Sequence, residues 1–175
     1  MGDESLMKEH VLNQLEMTRS ELLNEVRGLP LETLQAKPPG NGWSVLEIME
    51  HLATLEGSIA KGLVAVLQSP ERNDLVKAPL ELLKDPSRKA QAPDRVQPLG
   101  RINTLAEAEQ ALADARQKLL ESVAVDLGTE RMEKRGFEHP MFGPMSAAQW
   151  VELIPLHEDR HLGQIRNTLR QLQGS

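Results

Sequence analysis

The sequence predicts an all-α fold, a four-helix bundle, from three observations. Three helix starts carry a capping box, in which a Ser or Thr is followed three residues later by Glu or Gln. After these starts, apolar residues recur at alternating three- and four-residue spacing, which is the period of one helical face. No strand alternation of useful length and no internal repeat appear. At 175 residues, the chain is expected to form a single domain over residues 1–175.

The first helix is predicted over residues 5–27. Gly28 and Pro30 follow it, and this pair of residues is typical of a helix end. Its apolar stripe consists of Val11, Leu15, Leu22, Val26 and Leu29.

The second helix is predicted to begin after Ser44, whose partner in the capping box is Glu47, and to run to about Gln68. Pro70 then prevents its continuation. Its apolar face consists of Val45, Ile48, Leu52, Leu55, Ile59, Leu63 and Val66.

A long proline-rich crossover is predicted over residues 69–103, which cannot form one continuous helix. We expect one helical turn in it, around residues 80–83. A connection of this length can cross the whole bundle, so the second and third helices could run parallel in an up-down-down-up arrangement. We expect the crossover to overlie or flank the functional site. Its prolines are Pro70, Pro79, Pro86, Pro93 and Pro98.

The third helix is predicted to begin after Thr104, with Glu107 completing the capping box, and to end near Gly128. Its apolar positions are Leu105, Ala108, Ala111, Leu112, Ala115, Leu119, Leu120 and Val123.

The fourth helix is predicted from Ser146, paired with Gln149, to about Leu172. Pro155 lies inside it and should free the carbonyl of Val151 and bend the helix.

The composition excludes several classes of function. Lys and Arg number 20 against 26 Asp and Glu, and the resulting net charge of -6 opposes binding to nucleic acid or anionic lipid. The chain has no cysteine, which excludes disulfides, thiolate metal sites and a cysteine nucleophile. No apolar run reaches the length of a membrane span, and the acidic N-terminus does not resemble a signal peptide. We therefore expect a cytoplasmic protein with no nucleic-acid partner and no membrane partner.

Three histidines occupy positions where the helical pattern asks for an apolar residue. His157 and His161 are four residues apart on the apolar stripe of the fourth helix, so their rings share one face. His51 lies on the inward side of the second helix, about 10 Å past its cap, whereas the other two lie about 16 to 22 Å past theirs. These depths can coincide if the two helices are antiparallel.

A divalent metal ion would compensate for the burial of these three histidines. His51, His157 and His161 are therefore the predicted ligands, and three neutral imidazoles leave an open coordination position, as in catalytic sites. Zinc and nickel fit this ligand set best, with iron and manganese as further options. The alternative is that each buried ring is satisfied by a carbonyl or carboxylate. His10 is expected on the surface, and His139 in a turn.

Two known metal-site patterns fit only in part. His157 to His161 matches H-E-x-x-H, in which the Glu is a general base, but residues 162–175 contain no third ligand. A di-iron bundle would need a second E-x-x-H motif, which His51 does not supply. Glu158, Asp159 and Arg160 are expected on a solvated face, although Glu47 or Glu158 could orient a ligand.

The sequence resembles the DinB/YfiT-like superfamily, in particular its DinB_2-type members, over nearly the whole chain. The resemblance rests on Gly42-Trp43-Ser44-Val45-Leu46-Glu47 leading to His51-Leu52, on His139-Pro140 with Phe142-Gly143-Pro144-Met145, and on His157, Glu158, Arg160, His161 and Gln164.

This resemblance implies an up-down-down-up four-helix bundle, often a homodimer, with one metal ion held by a His of the second helix and an H-x-x-x-H pair of the fourth. His51, His157 and His161 stand at those positions. It also implies a metal-dependent thiol S-transferase that uses a low-molecular-weight thiol and a small-molecule substrate. A metal-dependent hydrolase at the same site, and a non-catalytic protein in which the metal stabilises the bundle, are the alternatives.

Overall fold

Four long helices form the body of the protein in this computed structural model, which describes residues 2–85 and 92–174. The long helices are α1 (Gly2–Val26), α3 (Val45–Leu67), α4 (Leu105–Val123) and α6 (Ala147–Gln173). Two short helices, α2 (Leu31–Gln35) and α5 (Glu130–Glu133), and two 3₁₀ turns, Leu80–Lys84 and Asp94–Val96, lie in the connections. The predicted all-α four-helix bundle is confirmed.

The directions of the four helices follow from the residues that share each half of the core. One half contains Val11 and Leu15 of α1, Ile59 and Leu63 of α3, Leu119 and Val123 of α4, and Ala147 and Trp150 of α6. The other half contains Leu22 and Val26, Val45 and Ile48, Ala108 and Leu112, and Ile165 of the same helices. The start of α1 and α6 therefore meets the end of α3 and α4, which is the up-down-down-up arrangement.

Two of the three predicted capping boxes are complete. Ser44 and Glu47 exchange both hydrogen bonds at the start of α3, as Thr104 and Glu107 do at the start of α4. At α6 only half of the box forms, because the Ser146 hydroxyl accepts from the Gln149 N–H but the Gln149 side chain binds elsewhere. The third helix ends at Val123 rather than near Gly128, since the N–H groups of residues 126 and 127 turn back to the Val123 carbonyl.

A short hairpin precedes α6, and the expectation that the chain has no strands is wrong here. Strands β1 (Gly136–His139) and β2 (Gly143–Ser146) pair antiparallel, with Gly136 opposite Ser146 and His139 opposite Gly143. A Cβ at Gly136 would lie 1.9 Å from the carbonyl oxygen of Met145, so this pairing requires glycine. Strands of four residues are too short for an alternating pattern to stand out.

Side chains of α6 hold the first part of the crossover against the bundle. The buried Gln149 amide donates to the Ala78 carbonyl and accepts from the Ala78 N–H, at 2.9 Å in each case. Further along the crossover, Arg160 Nη1 donates to the carbonyls of Leu83 and Asp85, at 3.1 and 2.9 Å. Residues 86–91 of the crossover, with Pro86, lie outside the described residues.

Side chains of α3 hold the last part of the crossover. The buried Glu50 carboxylate accepts from the N–H groups of Leu99 and Arg101, at 3.0 and 3.2 Å.

The helical turn expected around residues 80–83 is the 3₁₀ turn Leu80–Lys84. Within residues 2–85 and 92–174, no helix has both the length and the apolar character needed to cross a membrane.

Candidate metal centre

The three histidines expected from the sequence lie together between α3 and α6. The Nε2 atom of His157 is 3.3 Å from Nε2 of His51 and 3.1 Å from Nε2 of His161. One ring nitrogen from each residue lies within 4.8 Å of the others, so the group could hold a metal ion. His51 is 2 % exposed, whereas His157 and His161 are half-buried.

The antiparallel packing of α3 and α6 brings these residues to the same depth. His51 lies in the second turn of α3, and the other two rings lie one turn apart in the middle of α6. Pro155 lies inside α6 two residues before His157, and α6 continues to Gln173. The bend expected at this proline stays a prediction.

Two of the rings are oriented through their other nitrogen. His51 Nδ1 is 2.7 Å from the carbonyl oxygen of Val96, in the second 3₁₀ turn of the crossover. His161 Nδ1 is 2.7 Å from the side-chain oxygen of Gln164. Because both oxygens only accept hydrogen bonds, each Nδ1 carries the hydrogen and each Nε2 presents a lone pair. The expectation that the crossover flanks the site is confirmed by the Val96 contact.

Burial keeps all three rings neutral at pH 7. Burial, with the neighbouring His161 and His51 rings, lowers the pKa of His157 well below its usual value. Burial and the His51 ring lower the pKa of His161 to about 3, and the hydrogen bond that His161 donates to Gln164 opposes this effect. Burial also lowers the pKa of His51, and the Val96 carbonyl partly offsets this effect. Neutral imidazole is the form that binds metals.

The spacing of the nitrogens fits a metal ion. Two imidazole nitrogens bound tetrahedrally to zinc at about 2.0 to 2.1 Å from the ion lie about 3.3 Å apart. The observed separations of 3.3 and 3.1 Å match this value. A hydrogen on His157 Nε2 can donate well to only one of the neighbouring Nε2 lone pairs. A cation at the centre would accept the lone pairs of all three rings.

Trp43 forms an aromatic wall beside the cluster. Its ring centroid lies 5.0 Å from that of His51 and 6.5 Å from that of His161, nearly parallel to the latter at 19°. Trp43 is half-buried and directly precedes the N-cap of α3. Helical periodicity could not place this residue, because it lies outside the helix.

Glu158 is not on a solvated face, and that expectation is wrong. The residue is 1 % exposed, and its carboxylate accepts from Thr18 Oγ1 and Arg19 Nε, at 2.9 Å each. Both carboxylate oxygens are therefore engaged by side chains of α1. Neither the H-E-x-x-H peptidase interpretation nor a role for Glu158 in orienting a ligand fits this geometry.

The neighbouring charged residues differ from one another. Glu47 caps α3 and pairs with Lys37 at 2.9 Å, so it does not orient a histidine. Asp159 is exposed as expected. Arg160, expected on the solvated face, instead binds carbonyls of the crossover.

Three buried charged residues and one half-buried charged residue form a ring across the bundle, and sequence reasoning missed it. We call this set the charged ring: Arg19 of α1, Glu56 of α3, Arg116 of α4 and Glu158 of α6. Arg19 interrupts the apolar stripe of the first helix between Leu15 and Leu22, and this was the available signal. Glu56, Arg116 and Glu158 lie beside the stripes of their helices, so their sequence positions gave no signal.

The remaining histidines stay outside the cluster. His10 is exposed, as expected. His139 lies at the turn of the hairpin, where its Nδ1 accepts from the N–H groups of Met141 and Phe142 at 3.1 and 3.2 Å. The expectation of a turn contact for His139 is confirmed.

The chain is similar to known proteins in family, sequence and structure. The family model described as the DinB superfamily matches residues 14–165. The uncharacterized protein YuaE of Bacillus subtilis (strain 168) is 29% identical over 155 residues, which cover 89% of this chain and 94% of YuaE. The crystal structure of TT2238, a four-helix bundle protein, superposes with a TM-score of 0.61 at 26% identity, covering 91% of this chain and 98% of that one.

Proposed function

Starting from the fact that the chain belongs to the DinB superfamily, we propose that it is a metal-dependent enzyme that binds one divalent ion through His51, His157 and His161. The observation that carries the proposal is that Nε2 of His157 lies 3.3 Å from Nε2 of His51 and 3.1 Å from Nε2 of His161, with one ring nitrogen of each residue within 4.8 Å of the others. The Nδ1 hydrogens of His51 and His161 are held by Val96 and Gln164, so these two Nε2 lone pairs face the centre.

Three neutral imidazoles would leave one coordination position open, and the ion would act there as a Lewis acid. The chain's own residues shape that position. Trp43 walls one side, and a small hollow beside His157 is lined by Leu52, Leu55 and Ile154 with the charged-ring residues Glu56 and Glu158. A largely apolar surrounding strengthens electrostatic interactions inside it.

Within this frame we propose a thiol S-transferase that uses a low-molecular-weight thiol and a small electrophilic substrate. The thiol would release its proton to solvent water, its sulfur would form a new S–C bond at the electrophilic carbon, and the leaving group would depart with the electron pair of the broken bond. This chemistry suits a site whose nearby carboxylates are all engaged. Glu47, Glu50, Glu56 and Glu158 each bind other groups of the described chain.

Metal-assisted hydrolysis at the same position is the second candidate, since an ion with an open position also activates water. A non-catalytic, metal-stabilised protein is the third. Zinc or nickel is the proposed ion, by its affinity for imidazole. The single domain of residues 1–175 and a cytoplasmic location belong to the same proposal and rest on the length and composition of the chain. A homodimer also belongs to it and rests on the family resemblance.

The first test measures metal content by elemental mass spectrometry, on untagged protein purified without a chelator. We expect about one ion per chain in the wild type, none in His51→Ala or His157→Ala, and a wild-type content in the matched control His10→Ala, because His10 is exposed and remote. A wild type without metal, even after reconstitution, would mean that the histidines serve the bundle alone.

The second test separates the candidate reactions. Metal-loaded wild type is assayed with a thiol and a model electrophile, and separately with esters, amides and lactones without thiol. Acceleration only in the thiol panel, lost in His51→Ala and kept in His10→Ala, supports the transferase. Acceleration only in the second panel supports the hydrolase, and silence in both supports the non-catalytic protein.

A further inference from the structure

One guanidinium group in the charged ring touches three helices other than its own. Arg19 projects from α1 and is 9 % exposed. Its Nη2 donates to Glu56 of α3 at 2.7 Å, its Nε to Glu158 of α6 at 2.9 Å, and its Nη1 to the carbonyl of Leu112 in α4 at 3.0 Å. A planar fork of this kind fixes the relative positions of the groups that it binds.

The two carboxylates that Arg19 joins belong to the helices that carry the histidines. Glu158 directly follows His157, and Glu56 lies five residues after His51, about 7.5 Å further along α3. Arg19 therefore links α3 and α6 close to the depth at which their imidazoles meet. The distance between those helices decides whether His51 can reach the other two rings.

The charge of the ring is cancelled within the ring. Arg116 binds Glu56 through Nε and also contacts the carbonyl of Leu15 at 2.7 Å, so two cations face two carboxylates. Burial is the largest cause of the low pKa of each of the three histidines, and neither Glu56 nor Glu158 is among the causes. The ring thus acts on the histidines through the placement of helices.

We propose that Arg19 is the positioning residue of the metal centre: its planar guanidinium, bonded to both Glu56 and Glu158, holds α3 and α6 at the separation that lets His51, His157 and His161 bind one ion. This inference rests on the proposed metal site. It does not depend on which reaction the site performs.

The substitution Arg19→Lys tests the proposal, because lysine keeps the charge and loses the fork. Arg27→Lys is the matched control: Arg27 lies eight residues further along the chain, directly after α1, and its fork binds Glu109 of α4 at the surface. Affinity for Zn²⁺ is measured by calorimetry, the absorption spectrum of the Co²⁺-loaded protein is recorded, and folding is followed by circular dichroism. All are done at a temperature where each variant is folded.

We expect Arg19→Lys to raise the Kd for Zn²⁺ about tenfold or more and to change the Co²⁺ spectrum, while Arg27→Lys matches the wild type. If Arg19→Lys melts at lower temperature but keeps the wild-type Kd and spectrum, the role is merely structural and the proposal is overturned. A wild type that binds neither ion overturns the proposed metal site, and the role of Arg19 with it.

If Arg19→Lys does not fold, Glu158→Gln decides the question. The glutamine keeps the shape of the side chain and removes one of the two carboxylate oxygens that receive Thr18 and Arg19. A weaker Zn²⁺ affinity in folded Glu158→Gln supports the positioning role, and a wild-type affinity contradicts it.

Discussion

Three neutral imidazoles lie together in the bundle, with Nε2 of His157 at 3.3 and 3.1 Å from Nε2 of His51 and His161. A buried lone pair without a donor costs free energy until a cation or proton relieves it. In the metal-free protein the rings resist protonation because they are buried. Burial lowers the pKa of His161 to about 3 and that of His157 well below its usual value. Acid should therefore destabilise this protein through the same residues that we propose as ligands.

The first prediction concerns His161 and pH. An unfolded histidine takes up a proton below about pH 6.5, whereas folded His161 stays neutral until about pH 3. The unfolded state therefore binds more protons in this window, so the free energy of unfolding is highest above pH 6.5 and falls as the pH is lowered toward 3. His161→Gln should show a shallower fall, by up to about 1.4 kcal/mol per pH unit.

The measurement is urea unfolding of chelator-treated protein at several pH values between 7 and 4. His10→Gln is the control, because His10 is exposed and should leave the slope unchanged. Equal slopes for the wild type and His161→Gln would contradict the burial argument.

The second prediction concerns Trp43 as an internal reporter. The chain has two tryptophans, and Trp43 lies 5.0 Å from His51, whereas Trp150 stacks on Phe137 at 4.3 Å. An open-shell ion such as Cu²⁺ bound by the histidines should quench the nearer indole. We expect Trp150→Phe to lose most of its emission on saturation and Trp43→Phe to keep most of it. Equal quenching in the two variants would show that the ion binds elsewhere.

At the level of residues, the sequence predicted the histidines and missed their surroundings for one reason. His51, His157 and His161 each stood where an apolar residue was due, and this was taken as a sign of a buried role. Glu158 lies beside the stripe, where the pattern predicts a solvated residue, because charged residues are rarely buried without partners. Helical periodicity makes no prediction for Arg19. The partners of these two residues come from other helices, and only the fold reveals them.

At the level of elements, a substitution at Gly136 tests the hairpin, and one at Gly163 is its control. Gly136→Ala would place a Cβ 1.9 Å from the Met145 carbonyl oxygen, so β1 and β2 must separate and the melting temperature should fall by several degrees. Gly163→Ala is the control, because a Cβ there meets nothing within 4 Å and alanine is the better helix former. We expect it to raise the free energy of unfolding by about 0.5 to 1 kcal/mol.

Thermal unfolding by circular dichroism measures both variants. A Gly136→Ala protein that melts with the wild type would mean that the hairpin is not held as described.

The helix starts were predictable because capping is local. Ser44 with Glu47 and Thr104 with Glu107 need only each other and the first turn of their helix. Gln149 was assigned to a third box, but its amide binds the main chain of Ala78 instead. No local pattern announces a partner 71 residues away.

At the level of the whole molecule, a bound ion should stabilise the bundle. An ion that binds the folded state alone adds about 2.7 kcal/mol at a free concentration of 100 times its Kd. For a chain of this size, this corresponds to a rise in melting temperature of about 5 to 10 °C. We expect the rise with Zn²⁺ in the wild type and in His10→Ala, and no rise in His51→Ala. A rise of equal size in His51→Ala would place the ion at another site.

The topology was predictable from the length of one connection. Short links force neighbouring helices antiparallel, so only a long crossover allows α3 and α4 to run in the same direction. The division of the core into two apolar halves with the charged ring between them was not predictable. Helical periodicity describes one helix at a time, and the ring exists only where four helices meet.

The crossover is far longer than its connecting task demands. Returning along the 23 residues of α3 means covering about 34 Å, which about ten extended residues can span. Residues 68–104 contain more than three times that length of chain. The surplus carries the turn whose Val96 carbonyl orients His51. A protein with a shortened crossover would therefore keep the bundle but lose the Val96 carbonyl that orients His51.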